Sequence, residues 1–251
     1  MPTTIQLPAP APVQHPRRQA QRAVAVAVGA AGLLALAGGG LAVANNAMAQ
    51  HDQRSFTAVG IRDIRINVDA GDLTLLHGPA GGKVAVDTSS DWAWSQPDAR
   101  HTVKKGVLTL SGTCPHFGVG TCRVNHRVTV PAGVDVRVSI SSGDISATGL
   151  DLARLDVVTD SGDISVRDID VRRLHAETSS GDVAASLSRS PERVSAETSS
   201  GNVTLTVPDG AYNVDADTSA GQVRINVDDN PSAARRLSAH SSSGDVTVSH
   251  R

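Results

Sequence analysis

The chain has 251 residues, 39% of them apolar, with 23 Lys and Arg against 25 Asp and Glu and a formal net charge of −2. That length is ample for one β domain, and the charge balance excludes the concentrated basic footprint of a nucleic-acid binder. Only two Phe, two Trp and one Tyr occur, so Val, Ala, Leu and Ile must fill whatever core forms.

Residues 1–50 differ in kind from the rest. Pro2, Pro8, Pro10, Pro12 and Pro16 make residues 1–22 an extended, disordered cytoplasmic tail. Arg17, Arg18 and Arg22 then precede an uncharged run over 23–44, and no acidic residue occurs before Asp52. Such a run is long enough to cross a bilayer as a helix, and the arginines before it place the repeats outside the cell. The expectation is a retained transmembrane anchor over 23–44, followed by a linker over 45–54. The competing reading is a signal peptide cleaved near Ala49, after the small-x-small sequence Ala47-Met48-Ala49. Both readings export the repeats.

Residues 55–135 read as an opening β-layer. Strand-like runs occur at 84–86, 107–110 and 124–130, between loops containing Gly, Pro and Ser. Trp92 and Trp94 fall on one face of a strand, capping a core or stacking on sugar rings. Cys114 and Cys122 are the only cysteines, and an even count in an exported domain points to a disulfide. A metal site on Cys114, His116 and Cys122 matches no common zinc spacing.

Over 136–251 a cluster of small residues ending in glycine recurs before an alternating apolar run. The corner glycines are Gly143, Gly162, Gly181, Gly201, Gly221 and Gly244, spaced 19, 19, 20, 20 and 23 residues, with an isolated earlier copy at Gly71. Seven and five residues before each glycine, and two and four after it, stand apolar or small side chains, for example Leu155, Val157, Ile164 and Val166 around Gly162. Alternation of period two is the strand pattern, and a fixed period near twenty marks stacked repeats. The fold expected is all-β: a β-solenoid of stacked, roughly 20-residue units behind the N-terminal helix. A meander of hairpins rolled into a sandwich fits the Gly-Asp turns as well, but the regular period favours coils. The last copy, with Val246 and Val248, is followed by no capping element and is expected to form an open edge.

Catalytic motifs are absent: there is no nucleophile elbow, His-Glu-x-x-His, Walker loop or dinucleotide fingerprint. The residue after each glycine is Asp144, Asp163, Asp182, Asn202, Gln222 or Asp245. Stacked, this row would form a ladder able to attract calcium. The Asn and Gln members favour the plainer reading that each side chain caps its own turn. Outward Glu177, Glu197, Asp215 and Asp217 would lie on consecutive coils as a carboxylate cluster or a solvated face, with His175 and His240 also outward. No cofactor, metal or catalytic residue is expected.

The run Val128-Thr129-Val130-Pro131-Ala132-Gly133-Val134-Asp135-Val136, leading into Ser141-Ser142-Gly143-Asp144 and its successors, resembles the bacterial adhesin-like family called domain of unknown function 4097 (DUF4097). The resemblance covers about residues 55–251. It implies a cell-envelope β-solenoid with an adhesive role, and brings no catalytic or binding residues with it. The function expected is therefore a non-enzymatic surface module, anchored in the membrane and binding an envelope protein or glycan. The alternative is a β-helix protein that binds or degrades surface polysaccharide.

Overall fold

The computed structural model describes residues 49–78, 82–115 and 120–251. The tail over 1–22 and the expected anchor over 23–44 lie outside the described residues, as does His116. Among the described residues no helix is long and apolar enough to cross a membrane. Nineteen strands follow in order: β1 (Gln50–Val59), β2 (Asp63–Ala70), β3 (Leu73–His77), β4 (Lys83–Trp92), β5 (Asp98–Lys104), β6 (Val107–Thr113), β7 (Cys122–Val130), β8 (Val134–Ser142), β9 (Ile145–Thr148) and β10 (Asp151–Ser161). The rest are β11 (Ile164–Ser180), β12 (Val183–Leu187), β13 (Arg193–Ser200), β14 (Val203–Val207), β15 (Ala211–Ala220), β16 (Val223–Asn226), β17 (Asp228–Asp229), β18 (Arg236–Ser243) and β19 (Val246–His250).

The repeats coil rather than fold back as hairpins, because strands of successive units pair in parallel. Each unit contributes one strand to each of two facing sheets, with the glycine corner between them. One sheet runs β5, β6, β2, β8, β10, the second half of β11, β13, β18 and β15. The other runs β1, β4, β7, β3, β9, the first half of β11, β12, β14, β19 and β16. Between them the apolar positions form columns one side chain wide, such as Ile64, Val136, Leu155, Leu174, Val194 and Leu237, all at most 2% exposed. Burial of these aliphatic columns is the main force holding the stack.

The corners explain the sequence motif. Gly71, Gly143, Gly162, Gly181, Gly201, Gly221 and Gly244 have φ between 138° and 155°. A Cβ on any of the last six would lie 2.0–2.2 Å from the carbonyl oxygen of the glycine stacked on it. Glycine is thus required both for its backbone angle and for the close approach of its neighbour. Two side-chain ladders run alongside. Thr159, Thr178, Thr198, Thr218 and Ser241 each donate a hydroxyl to the glycine carbonyl of the adjoining rung, at 2.8–3.3 Å. These hydroxyls sit among the core columns without leaving a polar atom unpaired.

The second ladder corrects the expectation that each Asp caps its own turn. Asp144 Oδ1 accepts the amide of Asp163 at 2.9 Å, Asp163 that of Asp182 at 2.8 Å, and Asp182 that of Asn202 at 2.7 Å. Asn202 in turn accepts the amide of Asp245, and Asp245 that of Gln222, both at 2.9 Å. Each side chain therefore ties its corner to the next rung. The ladder begins at Asn125, whose Oδ1 accepts the amide of Asp72 at 2.8 Å. In that rung, β6 and β7 are joined by the Cys114–Cys122 disulfide loop instead of a glycine corner.

Rung order departs from chain order at both ends. The unit β2–β3 lies between β6–β7 and β8–β9. At the other end, β18–β19 inserts between β13–β14 and β15–β16. The expected open edge at the last copy is thus corrected: Val246 and Val248 are fully buried, and the open rung is β15–β16. After β14 the chain steps past one rung position, fastened by fully buried Tyr212, whose hydroxyl donates to the Pro208 carbonyl at 2.7 Å. It then returns through β17 and the turn at Asn230, where the extra residues of the 23-residue spacing lie. The C-terminus is fastened inside the stack, with the Arg251 amide on the Val207 carbonyl at 3.1 Å and its guanidinium on Asp168.

Two measurements test this arrangement. Gly181→Ala meets both the φ restriction and a backbone clash and should cost more than about 3 kcal/mol in chemical denaturation. Gly149→Ala, at φ 65° with nothing within 4 Å of the added carbon, should cost about 1–2 kcal/mol. In hydrogen exchange, amides of β19 should be protected about tenfold or more over those of β16, although β19 is last in the chain. The reverse order would contradict the insertion.

Candidate functional site: the two ends of the stack

At the open end, the core positions of the repeat pack against the preceding rung on one side only. Val223 and Ile225 are 40% and 39% exposed, where their counterparts Val203 and Leu205 are fully buried. Val214 and Ala216 are half-buried. β15 pairs with β18 over residues 213–220, and β16 pairs with β19. The opposite edge of β15 is covered at its start, where β17 pairs with Ala211 and Tyr212 and Asp229 accepts the Val214 amide at 3.1 Å; beyond Val214, and along β16, no strand among the described residues lies on that edge. Asp215 and Asp217 point outward from β15, and Arg224 on β16 reaches Asp245 at 3.2 Å and Gln222. A free strand edge flanked by apolar side chains can accept another strand.

The outer face beside this edge brings together only part of the expected carboxylate cluster. Glu177 and Glu197 are in register on neighbouring rungs, but the inserted β18 puts His240 between Glu197 and Asp217. His240 Nδ1 pairs with Asp217, and Nε2 lies 2.7 Å from Ser238 Oγ. His175 lies 3.4 Å from Glu177. The Ser238, His240 and Asp217 order is that of a nucleophile, a base and an orienting carboxylate. It lies on an open strand face, however, with the Asp217 side chain 74% exposed. The peptide groups of β18 face β13 and β15 within the sheet, so they build no oxyanion hole over Ser238. Among the described residues no group of three or more His, Cys, Asp or Glu is placed to hold a metal ion.

The paired tryptophans are also corrected. β4 ends at Trp92, which is buried, and the chain then turns so that Trp94 has φ 80° and is 55% exposed. The two rings therefore do not share a strand face.

The far end is built differently and carries the feature that the sequence pattern did not mark. Antiparallel β1 and β4 continue one sheet and antiparallel β5 the other. Between these last strands lies a cavity of about 640 Å³ whose walls include Phe56, Ala99, Leu110, His101 and His126. The rings of Phe56 and His101 stack across it from the two sheets, 3.8 Å between centroids. His126 occupies an inner position of β7, opposite Leu73, and is 4% exposed. Its Nδ1 lies 3.0 Å from Thr88 Oγ1, while Nε2 has no partner among the described residues. Burial pushes its pKa down to about 4. The only sequence signal was a histidine at an inward strand position.

A family model described as "Toastrack DUF4097" matches residues 55–249. No curated protein matches the chain in sequence. A Clostridium sporogenes structure described as a "putative cell adhesion protein" is similar at 12% identity and TM-score 0.50, covering 80% of this chain and 100% of that one. A Bacteroides fragilis "putative adhesin" is similar at 14% identity and TM-score 0.44, over 80% of this chain and 97% of that one. A Parabacteroides distasonis "putative lipid binding protein" is similar at 11% identity and TM-score 0.32, over 80% and 96%. The first of these likenesses shows a shared fold.

His126 makes stability depend on pH. Its folded pKa is below the unfolded value of 6.5, so the unfolded chain binds the proton more readily and stability is lost as pH falls from 6.5 to about 4. The loss is about 3 kcal/mol over that window. Burial opposes ionisation of Asp63, but hydrogen bonds from Arg137 and Arg65 outweigh it and hold its pKa below 3.8, outside that window. Denaturant midpoints of wild type and His126→Phe, compared at pH 7 and 4.5, should show a smaller pH dependence in the variant; equal dependence would show that His126 is not its source.

Proposed function

This chain belongs to the Toastrack DUF4097 family, and on that premise we propose that it is a non-enzymatic, adhesin-like module of the cell envelope. The 23–44 segment holds it in the membrane as a single pass, with the repeats outside the cell. The observation that carries the reading is the open rung β15–β16, where Val223 and Ile225 stand exposed at positions that are core in every other regular repeat. An edge of this kind offers backbone hydrogen bonds along β16 and the part of β15 beyond Val214, with apolar contact between them, which favours a protein partner contributing an extended strand over a glycan. Asp215 and Asp217 beside the edge favour basic residues in that strand. The solvated setting of Ser238 and His240 supports a binding role over catalysis.

The test is adhesion of beads coated with the full chain to cells of the source culture. Val223→Glu with Ile225→Glu should reduce attachment about tenfold, since it buries charge against the partner. Thr204→Glu, on an exposed outward position of β14, should leave attachment unchanged. Undiminished adhesion of the double variant would overturn the reading. Fractionation of epitope-tagged protein should find it in the membrane rather than the culture supernatant.

A further inference from the structure

We propose that the cavity between β1–β4 and β5–β6 binds a small anionic amphiphile: an aliphatic or aromatic body carrying one acidic head group. Its volume, about 640 Å³, lies within the range of sites that hold small organic ligands. It exists because the stack changes character here. Elsewhere the two sheets are joined by a corner in each rung and the space between them is filled by closely packed aliphatic side chains. At this end β1 and β5 arrive as separate antiparallel strands, and they bring to the cavity an alanine, Ala99, and two rings stacked on each other, Phe56 and His101.

Three features define the occupant. The walls are apolar at Phe56, Ala99 and Leu110, so water wets them poorly and an apolar body is favoured. Deeper in, His126 lines the cavity with its Nε2 unpaired, while Nδ1 is engaged with Thr88. In either tautomer Nε2 requires one hydrogen bond, and a buried polar atom without one calls for a ligand or a water. At the rim stand Arg54 and Arg100, one from each sheet. Each uses its Nε on the aspartate two residues earlier, Asp52 at 2.7 Å and Asp98 at 2.6 Å. Among the described residues the Nη donors of both guanidiniums have no hydrogen-bond partner, and a fork of such donors suits a carboxylate or a similar oxyanion. The site is at the opposite end of the stack from the open rung and does not rest on the adhesive reading.

Calorimetry on the full chain in lipid nanodiscs, against empty nanodiscs, provides the test. The probes are 1-naphthoate, octanoate and the neutral 1-naphthalenemethanol. Saturable one-site binding of at least one of the two anions is expected, with the neutral analogue about tenfold weaker. Preference for naphthoate identifies an aromatic ligand class, preference for octanoate an acyl one. Ala99→Trp, which fills the cavity, should abolish binding. Arg54→Gln with Arg100→Gln, on exposed positions that leave the core intact, should weaken it about tenfold. Absence of saturable heat with both anions overturns the proposal, and so does equal binding by the double arginine variant. Undiminished binding by a folded Ala99→Trp chain places the ligand elsewhere and overturns it too.

Discussion

Along one edge of the molecule, six glycine carbonyls press against six glycine α-carbons at a distance that leaves no room for a side chain. This contact sets the register of everything else. Once corners stack this closely, the apolar side chains before and after them must fall into straight columns, and parallel pairing follows in both sheets. The threonine hydroxyls and the Asp and Asn corner residues act on the same constraint, hydrogen-bonding the adjoining rung. A single unit has no inner face it can bury alone, so stability belongs to the stack.

A stack of parallel strands has two ends, and each exposes backbone and core. Both ends are managed by taking rungs out of chain order. The strands β18 and β19 are enclosed between β13–β14 and β15–β16, which moves the open edge to β15–β16. At the other end antiparallel strands and a disulfide loop replace the regular corner. The two ends consequently differ in chemistry: one is a free edge with exposed valine and isoleucine, the other a cavity with a buried imidazole and an arginine rim. The flat faces between them are solvated and repetitive, and offer little to distinguish one ligand from another.

Much of the architecture was legible in the residues. Glycine spacing and alternating burial identify strands, corners and coils, because each is dictated locally by φ and by a period of two. The disulfide was legible from an even count of two cysteines, eight residues apart. The site was less so. Asn125 takes up the ladder without any neighbouring Gly-Asp signature, His126 is an ordinary inward position in the sequence, and the cavity arises from two strands, β1 and β5, that are distant in the chain. The spacing of 23 before Gly244 was the one local trace of the crossover, and a loop of that length is compatible with a rung stacked in chain order as well.

By itself the sequence determined the repeat unit, its inward and outward faces, and the need for glycine at each corner, since these are properties of a strand and a turn. Only the tertiary structure decided the order in which units stack. Because the regular rungs present nearly the same glycine corner and the same columns, each could pair with almost any other, and local chemistry does not choose among them. The choice is made by the Tyr212 anchor, the return past Asn230 and the enclosure of the C-terminus. It is that choice which exposes Val223 and Ile225, buries Val246 and Val248, and sets His240 between Glu197 and Asp217.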